Sequence, residues 1–315
     1  MSSLTSAEIK SQARVLGFDA CGVAPAAGLP ELGFLAEWIA RGYAGGMKWL
    51  EESAADRADI RRVLPSARSV IVTATNYNTA RPFSTECADR DRAHVARYAW
   101  GDDYHEVVGR RQRALLNWMW QQTSEPFYGV DYVDTGPVQE RVFAQHAGIG
   151  WMGKNCCVIH QTLGSFLFLG VIVTSLELEY DAPALDQCGS CTLCLEACPT
   201  QALVEPHVLD ARRCIAYLTI EHRGEPLPEL VPAIGTHVYG CDVCQEVCPW
   251  NAVAPATDDP AWQPRPAWDL RTVMELDGMT DQAMRDALKG SAMTRARLRG
   301  LRRNIRNART NVEGE

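Results

Sequence analysis

Eight of the twelve cysteines fall within residues 188–248, at intervals suited to thiolate ligands. The first run is Cys188-x-x-Cys191-x-x-Cys194-x-x-x-Cys198-Pro199; the second is Cys241-x-x-Cys244-x-x-x-Cys248-Pro249, with Cys214 alone between them. Three thiolates at two-residue gaps wrap one corner of an iron–sulfur cube, and a fourth before proline points to a neighbouring cluster, as in bacterial ferredoxins. The second run lacks its leading cysteine, and Cys214 is the natural substitute. Crossed ligation then gives two sets: Cys188, Cys191, Cys194 and Cys248 for one [4Fe–4S] cluster, and Cys198, Cys214, Cys241 and Cys244 for the other. A pair of structural zinc sites is the alternative, because paired CxxC also binds zinc. Zinc ribbons rarely add the third cysteine and the Cys-Pro ending, so the pattern favours iron. Two cubanes in line move single electrons.

The rest of the chain must position these clusters and receive their electrons. At 315 residues it has room for about two domains on the usual size prior. With 46% hydrophobic and 22% charged residues it is an ordinary globular composition, and a net charge of −8 argues against generic binding of polyanions. Cys21, Cys87, Cys156 and Cys157 read as small buried residues, and the adjacent last two cannot easily pair. A reducing cytoplasm fits. The opening MSSLTSAEIK has neither a basic n-region nor an apolar h-region, so no export signal is expected. The longest apolar stretch, residues 163–176, is interrupted by Gly164, Ser165 and Gly170 and reads as strands.

Residues 6–16 read as a helix capped by Ser6, residues 18–23 as a strand, and SVIVTAT at 69–75 as a β-branched strand. A long helix is expected over about 103–123, with Asp103 and Glu106 as a cap-like pair. Asp103 and His105 nearly complete a D-x-H-x-x-G cobalt-ligating pattern, but Gly109 falls one residue late. His105 therefore reads as a surface or capping residue. A strand at 128–133 ends in Asp134-Thr135-Gly136-Pro137, and a helix restarts near Val138 with Pro137 in its first turn. Asp134 at that junction is either a helix cap or a ligand-facing residue at a strand's C-terminal end. The stretch Gly148-Ile149-Gly150-Trp151-Met152-Gly153-Lys154-Asn155 is neither a P-loop nor a dinucleotide fingerprint; its glycines allow a tight turn or close approach to something flat. Strands near 156–160 and 166–174 follow. Residues 254–268 look like a surface connection, and helices follow from about Leu270. Between 295 and 309 lie seven arginines and no acid, among them Arg295, Arg299, Arg302 and Arg303, the footprint of a phosphate-backbone contact.

Several stretches together resemble the epoxyqueuosine reductase family. They are Arg97-Tyr98-Ala99, Gly101, Asp103-Tyr104-His105, Val133-Asp134-Thr135-Gly136-Pro137, Glu140-Arg141 and Ala147-Gly148-Ile149-Gly150-Trp151. The first cysteine run, Asp210-Ala211-Arg212-Arg213-Cys214-Ile215 and Tyr239-Gly240-Cys241-Asp242-Val243-Cys244 continue the match. The resemblance implies two [4Fe–4S] clusters, a cobalamin (cob(II)alamin), and removal of the epoxide oxygen from epoxyqueuosine at the wobble position of tRNA. It implies tRNAs accepting Asp, Asn, His and Tyr as partners, an external electron donor, a cytoplasmic and monomeric protein, and no membrane. It makes Asp134 the proton donor, which must be protonated when substrate is bound, so burial is expected to raise its pKa. It suggests Arg57, Arg97, Asp134, Val158, Ser165, Ile215, Cys241 and Asp242 for the corrin pocket, and Arg223 as a tRNA contact. Longer family members continue into a helical-repeat segment, whereas this sequence stops at Glu315, which throws weight on the arginine stripe. The fold class expected is α+β: an α/β cobalamin-binding unit over 1–180, a ferredoxin-like double-cluster unit over 181–255, and an arginine-rich helical segment over 256–315. A dehalogenase-like corrinoid reductase and a ferredoxin-type electron carrier are the competing readings.

Overall fold

The computed structural model describes residues 4–314; residues 1–3 and 315, the outer ends of the first and last expected units, lie outside. The main elements run α1 (Ser6–Val15), β1 (Ala20–Pro25), β2 (Ser69–Asn76), α2 (Tyr104–Gln122), β3 (Gly129–Tyr132), α3 (Glu140–His146) and β4 (Leu167–Thr174). Then come α4 (Leu193–Ala197), α5 (Ile215–Ile220), α6 (Val243–Glu246), α7 (Val273–Gly278), α8 (Asp281–Leu288) and α9 (Arg297–Glu313).

Every position of β2 is buried, which is why its sequence is a near-continuous run of small and β-branched residues rather than an alternation. It pairs with β1 and β4, and β4 with β3, giving the order β1-β2-β4-β3 with all pairings antiparallel. The ligand rule for parallel sheets therefore does not place Asp134; its loop does. One sheet face packs against α1 and α2 through Ile9, Val108, Leu115, Met119, Phe166 and Phe168. The other packs against α3 through Val142, Phe143 and Ala144, which meet Val70, Val72, Val171 and Val173. Burying a side chain of this size stabilises by ~1.5–3 kcal/mol.

The helix ends differ from the expected ones for local reasons. Thr5, not Ser6, caps α1, in a reciprocal pair with Glu8, while the Ser6 hydroxyl donates to the Glu179 carbonyl at 2.8 Å. Asp103 caps α2, but its carboxylate accepts from the backbone and ring of His105 rather than pairing with Glu106. Helix α3 begins at Glu140 rather than Val138, which frees a longer loop for Asp134.

Residues 254–268 are not a surface connection. Trp262 is buried in the core under α2, the Thr257 N–H donates to the Asn78 carbonyl at 2.6 Å, and the Asn76 amide donates to the Pro255 carbonyl at 2.9 Å. Gly101 is required there, because a Cβ at that position would come within 2.0 Å of the Ala261 carbonyl oxygen. Helices α7, α8 and α9 share a further core with Ala93, Val95, Ala99, Val238 and Tyr239, so the last segment packs on residues of both earlier units.

Candidate active site beside two cysteine sets

The cysteines gather in two neighbourhoods. Cys188, Cys191, Cys194 and Cys248 line one hollow of about 90 Å³, with Lys154 and Trp250 on its rim. Burial raises the Cys194 thiol, and the neighbouring thiols of Cys248, Cys188 and Cys191 add to the effect. Burial likewise raises Cys214, Cys241 and Cys244; Cys198 adds to the first, Cys214 to the second, and Cys241 with Cys214 to the third. Thiolate ligands must be deprotonated, so cation binding has to overcome that burial. Among the described residues no three His, Cys, Asp or Glu side chains close on a point that would hold a single ion.

Asp134 sits in the loop between β3 and α3 with φ +60°, a conformation that side chains other than glycine adopt at a cost of ~1–3 kcal/mol and that clusters at functional sites. The Glu140 carboxylate accepts the Asp134 N–H at 2.7 Å and holds this backbone in place. The Asp134 side chain is 61% exposed to a cleft whose wall is the first turn of α2. His105 Nε2 lies 3.3 Å from Asp134 Oδ2, and His105 Nδ1 lies 2.7 Å from Asp103 Oδ1. The Tyr104 ring stacks on the His105 ring at 4.0 Å and on Phe168 at 4.6 Å.

In the substrate-free site, groups around Asp134 counter the upward effect of burial. The cleft walls push its carboxyl upward, but His105, the Tyr104 hydroxyl and Arg141 together hold it below the ordinary aspartate value. Burial opposes charge on His105 as well, yet its hydrogen bonds to Asp103 and Asp134 win and raise it to about 9. Burial, reinforced by the charge of Asp134, pushes Glu140 up to about 8. At neutral pH the proton therefore sits on His105, and Asp134 is its carboxylate partner. Sequence reading had set His105 aside; the signal it offered was an Asp-Tyr-His triplet at a helix start, where cap and ring contacts coincide.

An aromatic ridge runs from Asp134 toward the second cysteine set. Tyr104 meets Tyr98 edge-on at 6.0 Å, and the Tyr98 and Tyr239 hydroxyls are 3.1 Å apart, next to the Gly240–Cys241 turn. Asp242 accepts the Arg97 N–H at 2.6 Å, and burial pushes its carboxyl up to about 7. Cys241 and Asp242 also line a cavity of about 460 Å³ walled by Phe83, Trp100 and Trp268. Buried nitrogens of Arg92, His237 and Trp268, which line it, have no partner in the polypeptide. Arg57, near Glu140 and Asp134, lies over the Trp49 ring and donates to the Val138 carbonyl at 3.0 Å. Val158 and Ile215 are packed into apolar cores, and the Ser165 hydroxyl donates to Gln245 at 3.0 Å. The glycine stretch is a packing device: a Cβ on Gly150 would lie 2.3 Å from the Ile159 carbonyl oxygen, so its close approach is to the chain's own backbone and not to an open cradle.

Residues 57–135 match the family described as epoxyqueuosine reductase QueG, DUF1730, and residues 187–251 match the 4Fe-4S double cluster binding domain. The epoxyqueuosine reductase of Gloeobacter violaceus is 45% identical over 317 residues, spanning 96% of this chain and 95% of that protein. This chain belongs to the epoxyqueuosine reductase family. A crystal structure of an epoxyqueuosine reductase with a tRNA-Tyr epoxyqueuosine-modified stem loop shares its fold at TM-score 0.88 and 30% identity, covering 97% of this chain and 80% of that one. The family enzyme from Bacillus subtilis, with its catalytic aspartate loop swung out of the active site, matches at TM-score 0.87 and 29% identity, over 97% and 81% of the two chains.

The expected arginine stripe on this family member is only partly a surface. Arg303 is 6% exposed, and its guanidinium donates to the carbonyls of Leu218, His222 and Gly224. Arg302 pairs with Asp281 at 3.0 Å and reaches the Met279 and Asp277 carbonyls. Both side chains are engaged by the protein itself, Arg302 toward α8 and Arg303 toward the turn after α5. Arg295 pairs with Glu221 at 2.7 Å, and Arg223 donates to the Arg295 carbonyl at 3.1 Å, joining two of the expected contacts. Arg299 is exposed and, among the described residues, has no ion-pair partner. No helix among the described residues is long and apolar enough to cross a membrane.

Proposed function

We propose that this protein reduces epoxyqueuosine to queuosine at the wobble position of tRNAs that accept Asp, Asn, His and Tyr. The observation that carries the reading is the Asp134 loop facing the cysteine sets across an aromatic ridge, in a chain 45% identical along its length to an epoxyqueuosine reductase. The two crossed cysteine sets hold the two [4Fe–4S] clusters. Cobalamin fits beside them, since the cavity at Cys241 and Asp242 is walled by aromatic rings and buried donors that no protein group satisfies. Cys241, Asp242, Trp100, His237 and Trp268 would hold it there, whereas Arg57, Arg97, Val158, Ser165 and Ile215 are not among the residues that line this cavity. Bound cobalamin supplies the low-valent cobalt that delivers electrons to carbon.

The chain's own residues supply orientation and protons. Asp134 presents its carboxyl to the epoxide oxygen, the strained backbone and Glu140 fix its position, and Tyr104 holds it from the side. Arg295, near Asp134, and Arg299 place positive charge at the mouth, where an RNA backbone would lie. That a relative was solved with a modified tRNA stem loop supports an RNA substrate. Free thiols, half-buried except for the buried Cys248, suit a reducing compartment, so the protein is assigned to the cytoplasm, as a monomer reloaded by an external electron donor.

The test is anaerobic preparation with cobalamin, followed by turnover of an epoxyqueuosine-bearing stem loop read by mass spectrometry. Loss of one oxygen from the base is expected. An unchanged base alongside dehalogenation of a halogenated aromatic would instead establish a dehalogenase-like reductase. Failure to retain cobalamin would leave an electron carrier.

A further inference from the structure

We propose that His105 supplies the protons that the deoxygenation consumes and passes them through Asp134, an inference that rests on the function proposed above. Removing oxygen from an epoxide to leave an alkene breaks two C–O bonds, forms one C=C bond, and takes up two electrons and two protons, releasing water. The electrons come from the external donor that the reaction already requires. Asp134 rests as the carboxylate, so each proton it hands to the oxygen must first reach it from His105, and the imidazole must be recharged from solvent before the hydroxide can leave as water.

The geometry provides the recharging. His105 Nε2 is 3.3 Å from Asp134 Oδ2, within reach of a proton transfer. Asp103 Oδ1, 2.7 Å from Nδ1, keeps that nitrogen protonated, so the ring releases its proton from Nε2 alone. The imidazole is 32% exposed, which gives it a route back to solvent protons. The facing groups are consistent with this task. Tyr104 stacks on the ring and bonds to Asp134, Glu140 touches Asp134 through the backbone N–H, and Arg141 and Arg295 act on the Asp134 charge. Arg265 acts on Asp103, and Arg57 faces Asp134 and Glu140.

The test compares wild type, His105→Gln and Asp103→Asn in single turnovers of the modified stem loop across pH. H105Q should lower kcat by about 100-fold or more with KM little changed, the span of a lost acid–base group. The wild-type rate should fall as pH passes about 9, and D103N should move that limb to lower pH. H105Q with wild-type kcat and limb overturns the inference; if H105Q fails to fold, a D103N limb that stays in place overturns it. A separate readout is the imidazole titration of His105 by NMR in the cluster-loaded chain without substrate. Titration near 9 is expected, and titration at the ordinary 6.5 refutes the proton store. A wild-type chain that leaves the stem loop unreduced refutes the function itself, whereas reduction with an indifferent His105 refutes only this inference.

Discussion

Replacing Arg303 by methionine should damage stability and leave RNA binding nearly intact, whereas Arg299→Ala should do the reverse. Arg303 donates to the Leu218 and His222 carbonyls at 2.7 Å each, to the Gly224 carbonyl, and to Asn304 Oδ1 at 2.8 Å. Methionine keeps the stem volume but strands three carbonyls, each costing ~1–3 kcal/mol when left buried and unpaired. Relief of the guanidinium's own burial offsets part of this, as does relaxation of the turn at residues 221–225, so a net loss of about 3 kcal/mol is expected. For a chain of 315 residues that lowers Tm by roughly 4–5 °C. Arg299 is exposed and unpaired among the described residues, so its truncation should stay within ~0.5 kcal/mol. If it meets a phosphate, the slope of log K against log salt for stem-loop binding should shrink by about 0.7–0.9. Thermal melting of the cluster-loaded protein and fluorescence anisotropy across a salt series measure the two effects. An R303M protein that melts like wild type but loses salt dependence would refute the burial argument.

Asp134→Asn should bind the stem loop normally but lose about 100-fold or more in reduction, since the amide cannot relay a proton; full activity would remove Asp134 from the chemistry. Cys214→Ser should lower iron from about eight to about four atoms per chain, because it strips the second set alone; loss of all iron or of none would contradict the crossed assignment. Folding should weaken as pH rises through the neutral range. The folded-state values of about 9 for His105 and about 8 for Glu140 lie above their ordinary 6.5 and 4.5, so the folded chain binds these protons more tightly. The His105 contribution is complete below pH 6.5 and gone above about 9, and the urea midpoint should fall across that window, less steeply in H105Q.

The strand at Ser69–Asn76 and the long helix at Tyr104–Gln122 were legible because burial on both sheet faces and a 3.6-residue apolar period leave direct marks in the sequence. The cysteine sets were legible because ligand spacing is local. What sequence could not supply was direction. Whether an arginine meets a phosphate or a carbonyl depends on which turn lies opposite, and for Arg303 that is a segment about 80 residues earlier. The protonation of Asp134 followed the same rule: burial alone predicts a raised value, but His105, 29 residues away in sequence, reverses it.

The strap that carries Trp262 has a consequence for how the chain is made. The sheet is complete once residue 174 has emerged, yet the face under α2 stays open until the strap arrives, almost ninety residues later. A nascent chain therefore exposes the Phe168 surface while the cysteine segment is still being synthesised. Cluster insertion and closure of the first layer compete in time, and a holding chaperone would act in that interval.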